Sequence, residues 1–409
     1  MPTSLELTEM TKNNNILPEG WKIKPINQVF EFIGTSSFSR NDINYEIDEE
    51  SIYYIHYGDI HATYKNAVLD FDTETRIPVL KKEIKSTTNY LEEGDLIIAD
   101  ASEDYEGVGE ALEVFNVKDK KVIAGLHTFA LRDKNNDTAH GYRAYLFKNP
   151  EVKKQLKTIA TGSKVYGISK GNLEKFKIIL PPLPEQQKIT KILATWDKAI
   201  ALQQKQIIEK KQHKKAIMKK LLTGELRFKG FNDEWKELRL KDVLKYERPD
   251  QFIVVSDVYS SNHKTPVLTA NKGFILGYTD EVKGIYTDLP IILFDDFTTD
   301  NKFVEFPFKI KSSAIKILKA SNEKFDLKFI YERMQIFSFS KEEHKRYYIS
   351  EYQYLKFKCP EFDEQKKIST YSSDLDKEIN ALQKELFAMQ EQKQGLMQQL
   401  LTGKIRVKK

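Results

Sequence analysis

The chain has 409 residues, 40% of them hydrophobic, which is enough for two or more domains that each bury a core. A single cysteine, Cys359, excludes an internal disulfide framework, and seven scattered histidines without a second cysteine leave no structural zinc site. The net charge of +5 is unevenly spread: residues 1–184 carry 23 basic and 28 acidic groups and residues 185–220 carry 10 and 3, so the chain is no basic glove and nucleic-acid contact must come from local patches.

In chain order, residues 1–16 read as a flexible polar tail without an apolar signal core. No run of eighteen apolar residues follows, so no membrane association is expected and the expected location is the cytoplasm. Residues 17–180 form a β-rich domain in which Ser51–Tyr57, Asp95–Ala99 and Val122–Leu131 read as strands and Pro150–Ala160 as a helix. Residues 181–228 form the segment of a first long helix, whose start is marked by Pro181, Pro182 and Pro184 and whose end is marked by Gly224. Residues 229–358 form a second domain, with strands at Phe252–Val255, Pro290–Phe294 and Ala314–Leu318 and a helix over Leu327–Phe337. Residues 359–409 form a second long helix and a tail.

The two long helices are copies. Pro181–Gly224 recurs as Pro360–Gly403 at a constant offset of 179 residues, with 16 of 44 positions identical, including Glu185-Gln186 with Glu364-Gln365 and Leu221–Gly224 with Leu400–Gly403. Trp21-Lys22 and Trp235-Lys236 open the two domains, so the chain is a tandem duplication of domain plus helix. Apolar residues alternate in steps of four and three, the spacing of a coiled-coil seam: Ile189, Leu193, Trp196, Ile200, Ile207, Ile217 and Leu221 in the first copy. The second copy runs Ile368, Leu375, Ile379, Leu382, Leu386, Leu396 and Leu400. Neither seam can stay exposed, and pairing the helices with each other buries both. The expected fold class is α+β: two β-rich domains in tandem, separated by two long helices pairing as an antiparallel coiled coil, with a pseudo-two-fold internal repeat.

Candidate DNA contacts lie where loops interleave hydroxyls, amides and cations with aromatics, chemistry suited to phosphates and base edges. In the first domain these are Ser36, Ser37, Ser39, Arg40 and Asn41, then Ser163, Lys164, Tyr166 and Lys170. In the second they are Tyr278, Thr298, Thr299, Lys311, Ser312, Ser313, Arg346 and Tyr347. No catalytic or metal-binding residue is expected. Gly162–Gly167 has the glycine spacing of a phosphate loop, but Ile168-Ser169 stands where Lys-Ser/Thr must follow. No Asn/Asp-Pro-Pro-aromatic motif of an adenine methyltransferase occurs. Two other readings stay open, a coiled-coil scaffold and a stand-alone Mg²⁺-dependent nuclease built on Glu281 and Lys283.

The duplicated Pro-x-x-x-Glu-Gln-x-Lys-Ile helix starts, the Leu-Leu-Thr-Gly exits, the Trp-Lys openings and the Gly-Ser…Ile-Ser approach to the first helix resemble the specificity subunits of type I restriction-modification systems, from Leu17 to Lys409. The resemblance implies that each domain is a target-recognition domain reading one half of a bipartite double-stranded DNA target. It implies further that the helices set the spacer and dock two methyltransferase (modification) subunits, which restriction/translocase subunits join for cleavage. S-adenosylmethionine, ATP and Mg²⁺ are then implied for those partner subunits, and no cofactor for this chain.

Overall fold

The computed structural model describes residues 17–407 except 49, 65, 82–88, 271–272 and 341–344. The expected flexible tail, residues 1–16, lies outside the described residues, as do Lys408 and Lys409. Two compact units emerge, Met1–Gln204 with Glu385–Lys409, and Lys205–Lys384. They cut across the segments read from the sequence, because each unit takes one domain together with part of both long helices.

In the first unit a five-stranded sheet runs in the order Phe30–Ile33, Thr128–Asp133, Leu96–Ala99, Ala111–Phe115, Val68–Asp70. All its pairs are antiparallel but the last. Leu96–Ala99 is buried along its whole length, as a central strand covered on both faces requires. A four-stranded sheet (Lys121–Ala124, Ile52–Ile55, Val79–Leu80, Ile43–Asn44) flanks it. The run Val122–Leu131 is not one strand: it divides into Lys121–Ala124 and Thr128–Asp133. The chain turns through Gly125–His127, where His127 takes a left-handed φ of 55°. An apolar run records burial, and here it hides a turn that periodicity does not report.

In the second unit a four-stranded antiparallel sheet runs Leu244–Glu247, Ile315–Ala320, Ile291–Asp295, Asn301–Val304. Beside it lies a three-stranded sheet of Ile275–Thr279, Thr265–Leu268 and Lys309–Ile310. Phe252–Val255 is not a strand. A 3₁₀ turn, Asp250–Phe252, leads into a single bridge from Ile253 to Ile310. The helix expected over Leu327–Phe337 spans Leu327–Met334.

The opening and closing strands of each domain pair with one another, Lys22–Pro25 with Lys177–Leu180 and Lys236–Arg239 with Lys356–Cys359. This ribbon delivers the chain into a long helix, Leu183–Thr223 in one case and Phe362–Leu401 in the other. Cys359 ends the second ribbon, buried, and burial pushes its thiol up to about 12.

Candidate nucleic-acid interface

The repeated motifs close each unit in the same way. In the first unit, Glu185 at the start of the first long helix accepts from the Trp21 indole N–H at 3.0 Å and from Arg406 at 2.7 and 2.8 Å. In the second, Glu364 accepts from Trp235 at 3.0 Å and from Arg227 at 2.9 and 2.7 Å. The neighbouring glutamines act through their amides. Gln186 accepts from the Ala139 amide and donates to the Pro181 carbonyl, each at 2.8 Å, and Gln365 accepts from Asp326 and donates to Pro360, each at 2.9 Å. The Leu-Leu-Thr-Gly exits pack on the Trp openings: a Cβ on Gly403 (φ 70°) would come within 3.2 Å of Trp21, and one on Gly224 (φ 77°) within 3.5 Å of Trp235. The exit motif of the second repeat thus seals the first unit, and that of the first repeat seals the second.

Within each unit the two helix segments run antiparallel. The first unit pairs Asp197 with Lys393 and Gln203 with Glu385, and the second pairs Lys214 with Asp376 and Lys210 with Glu378. Ile189, Leu193, Ile207, Leu221, Ile368, Ile379 and Leu400 are buried, and Trp196, Ile200, Ile217, Leu375, Leu382, Leu386 and Leu396 are half-buried. Met218, Leu222 and Leu401, outside the seam read from the sequence, are buried against the domains. Arg227 and Arg406 were missed as well, although each stands three residues after its Leu-Leu-Thr-Gly, so extending the repeat by three residues finds them.

Burial raises the Glu185 carboxyl, but the Arg406 and Trp21 donors outweigh it and hold the group below the usual carboxylate range. A depressed folded value means stabilisation that is present above the ordinary glutamate range and is lost as pH falls through the folded value. Glu185→Gln should therefore melt lower than wild type at pH 7. The gap should narrow as both proteins are acidified below about pH 4.3, and thermal melts across pH 3–7 check it.

The candidate loops of the first domain gather at one end of its sheets. The buried Tyr54 hydroxyl accepts from the amides of Phe38 (3.0 Å) and Leu126 (2.8 Å), with the carbonyls of Ser36 and Phe38 each 3.2 Å away. The Asp100 amide donates to His127 at 3.0 Å, and Ala101-Ser102 pairs with Tyr166-Gly167. The segment 36–41 is thereby tied to the 125–127 turn, and that turn to the 161–170 loop. Ser37, Ser39, Arg40, Asn41, Ser163, Lys164 and Lys170 are exposed there, and Ser36 and Tyr166 half-buried. Ser39 is occupied with Asp42, and Lys170 sits 4.9 Å from the Phe32 ring centre. Three histidines converge on this end unread from the sequence, with Tyr57 ring centres 4.5 Å from His56, 6.2 Å from His61 and 5.3 Å from His127. Burial, then the Arg40 charge, lowers the His56 pKa, so it stays neutral and its Nδ1 accepts from the Gly58 amide at 3.0 Å. Isolated histidines 56, 61 and 127 carry no motif spacing, and only the fold collects them.

In the second domain Asp296 is the hub. Its amide donates to Ala314 and its carbonyl accepts from Tyr347, each at 2.9 Å, while its carboxylate takes the Tyr348 amide at 2.8 Å and lies 3.2 Å from Lys316. This draws together the segments carrying Thr298, Ser312, Ser313 and Arg346. Arg346 is exposed, 5.4 Å from the Phe297 ring centre, Ser313 is exposed, and Thr298 and Ser312 are half-buried with their hydroxyls accepting from the amides of Asp300 and Ala314. Tyr278, on the three-stranded sheet, and Lys311, directly after its Lys309–Ile310 strand, are half-buried, with Lys311 paired to Asp257. Two candidates belong to the interior instead. Tyr347 is 1% exposed, its ring 5.2 Å edge-on from Phe339, because an aromatic next to Lys345-Arg346 gains more from the core than from solvent. Thr299 is 8% exposed in a left-handed turn, its amide bonded to Asp295.

Glu281, the residue of the nuclease reading, accepts from the amides of Val255 and Ser256 and lies 2.7 Å from Lys309. That makes it a structural carboxylate. Among the described residues no helix is long and apolar enough to cross a membrane.

A family model described as the type I restriction modification DNA specificity domain matches residues 18–211. The type I restriction enzyme EcoR124I/EcoR124II specificity subunit of Escherichia coli is 41% identical over 151 residues, 36% of this chain, and the match spans 37% of that relative. The putative type I restriction enzyme MjaX specificity subunit of Methanocaldococcus jannaschii is 25% identical over 428 residues, covering 96% of this chain and 95% of that one. Among solved structures, the S subunit of a type I restriction-modification system from M. genitalium shares the fold, with a TM-score of 0.55 at 15% identity over 95% of this chain and 97% of the other. A chain from a structural study of complex assembly in the type I R-M system gives a TM-score of 0.56 at 13% identity, over 95% of this chain and 100% of that one.

Proposed function

We propose, from the premise that the chain belongs to the specificity subunits of type I restriction-modification systems, that each unit reads one half of a bipartite DNA target and that the chain performs no chemistry itself. The observation that carries this reading is the duplicated clasp: Trp21–Glu185–Arg406 and Trp235–Glu364–Arg227 give each recognition domain the same attachment to the helices. Equivalent mounting of two different loop surfaces is what reading two different half-sites demands. Each long helix, at 41 and 40 residues, has a length of about 60 Å. That is ample beside the roughly 34–36 Å between half-sites one DNA turn apart. In this reading the outward helix faces, including the exposed Lys211, Lys215, Lys219 and Lys220, receive methyltransferase subunits. Those subunits and the restriction/translocase subunits supply S-adenosylmethionine, ATP and Mg²⁺ chemistry.

The test is methylome sequencing of cells carrying this chain with its methyltransferase partner. One split, gapped motif is expected. The purified chain alone should neither methylate nor cut DNA, and Mg²⁺-dependent nicking abolished by Glu281→Ala would overturn the reading in favour of a nuclease.

A further inference from the structure

Three valines of the second unit stand in solvent where nothing obliges them to. Val255 is 91% exposed, Val282 82% and Val258 74%. They come from two turns, 253–258 and 280–283, locked into one tip. Glu281 Oε1 accepts from the Val255 and Ser256 amides at 2.9 Å each, and the Glu281 amide donates to Thr279 Oγ1 at 3.2 Å. From beneath, Lys309, whose side chain is 3% exposed, reaches Glu281 Oε2 at 2.7 Å and donates to the Lys283 carbonyl at 2.6 Å. Gly284 permits the approach: its φ is +67°, and a Cβ there would lie 2.3 Å from the Gln251 carbonyl. A buried cation is thus used to fix the backbone of an apolar tip, an arrangement that makes physical sense when the tip is held ready for a partner.

The tip is continuous with the candidate DNA-facing residues, since Lys311 is paired with Asp257 and the Ser260 amide donates to the Tyr278 carbonyl at 3.0 Å. Its own chemistry selects which part of DNA it meets. Apolar side chains beside the exposed Asp280 make a poor phosphate contact, and the apolar group that DNA offers a protein is the thymine C5-methyl in the major groove. We propose that Val255, Val258 and Val282 form a rigid apolar tip that packs on thymine methyl groups of the half-site read by the second unit. The proposal rests on the reading that this unit reads a half-site.

The experiment uses the full chain assembled with its methyltransferase subunits, on duplexes in which each thymine of that half-site is replaced singly by deoxyuridine, which lacks only the methyl. One or two replacements should weaken binding roughly three- to five-fold, the worth of one buried methyl group. In the Val255→Ser/Val258→Ser/Val282→Ser variant the thymine duplex should bind more weakly and the thymine–deoxyuridine difference should vanish at those positions. At such exposed sites the melting temperature should hold, and affinity for the other half-site should be unchanged. The proposal is overturned if wild type ignores the replacements, if the variant keeps the full difference, or if the half-site contains no A·T pair. Loss of subunit assembly with the difference intact would also overturn it, and would assign the tip to a protein partner. Absence of any half-site selectivity in wild type would instead sink the reading on which the proposal rests.

Discussion

Leu193→Asp should unfold the first unit. Leu193 is fully buried in a cluster with Ile189, Leu400 and Leu401, so its side chain closes the joint between the two helix segments of that unit. A carboxylate there has no partner, and burying it costs several kcal/mol against a total stability of about 5–15 kcal/mol. Thermal melting followed by circular dichroism should show the transition of the first unit lost or lowered by roughly 10 °C, taking about 2–4 °C per kcal/mol for a unit of this size. Leu193→Ala should cost about 2–5 kcal/mol. Leu202→Asp, on the same helix but 58% exposed, should fall within about 0.5 kcal/mol of wild type. Equal melting of Leu193→Asp and wild type would mean that the segments do not pack in solution.

Spacer length should follow the helices, and the clasps decide where a helix can be lengthened. An insertion after Thr223 would part Leu222 from the Gly224–Arg227 segment that holds Trp235 and Glu364, and so would loosen the second unit. Seven residues inserted both between Gln204 and Lys205 and between Lys384 and Glu385 keep every clasp and the seven-residue phase of the seam. Each insertion adds about 10 Å of helix, or roughly three base steps of 3.4 Å. Methylome sequencing should then show the same two half-sites with a spacer about three base pairs longer. Exchange of the first domain for that of a relative, with junctions in the Lys22–Pro25 and Lys177–Leu180 ribbon, should change one half-site and leave the other and the spacer alone. Changed base identities after helix lengthening, or two changed half-sites after exchange, would refute modular reading.

The duplication, the two long helices and their apolar seams were legible in the sequence because each is a local or periodic signal. A helix is set by contacts three and four residues apart, and a seam by their recurrence. The sequence also showed Glu185-Gln186 and Glu364-Gln365 as repeated pairs, but not their work. Their partners, Trp21, Ala139 and Arg406 in one unit and Trp235, Asp326 and Arg227 in the other, lie tens to hundreds of residues away. Tertiary structure alone decided that the exit of each helix seals the domain opened by the other repeat. It decided too that Val122–Leu131 breaks at His127, that Tyr347 and Thr299 turn inward, and that three unrelated histidines meet around Tyr57. The physical reason is common to all of these. Burial of a polar or aromatic side chain depends on what the rest of the chain packs against it, and no spacing along the sequence records that.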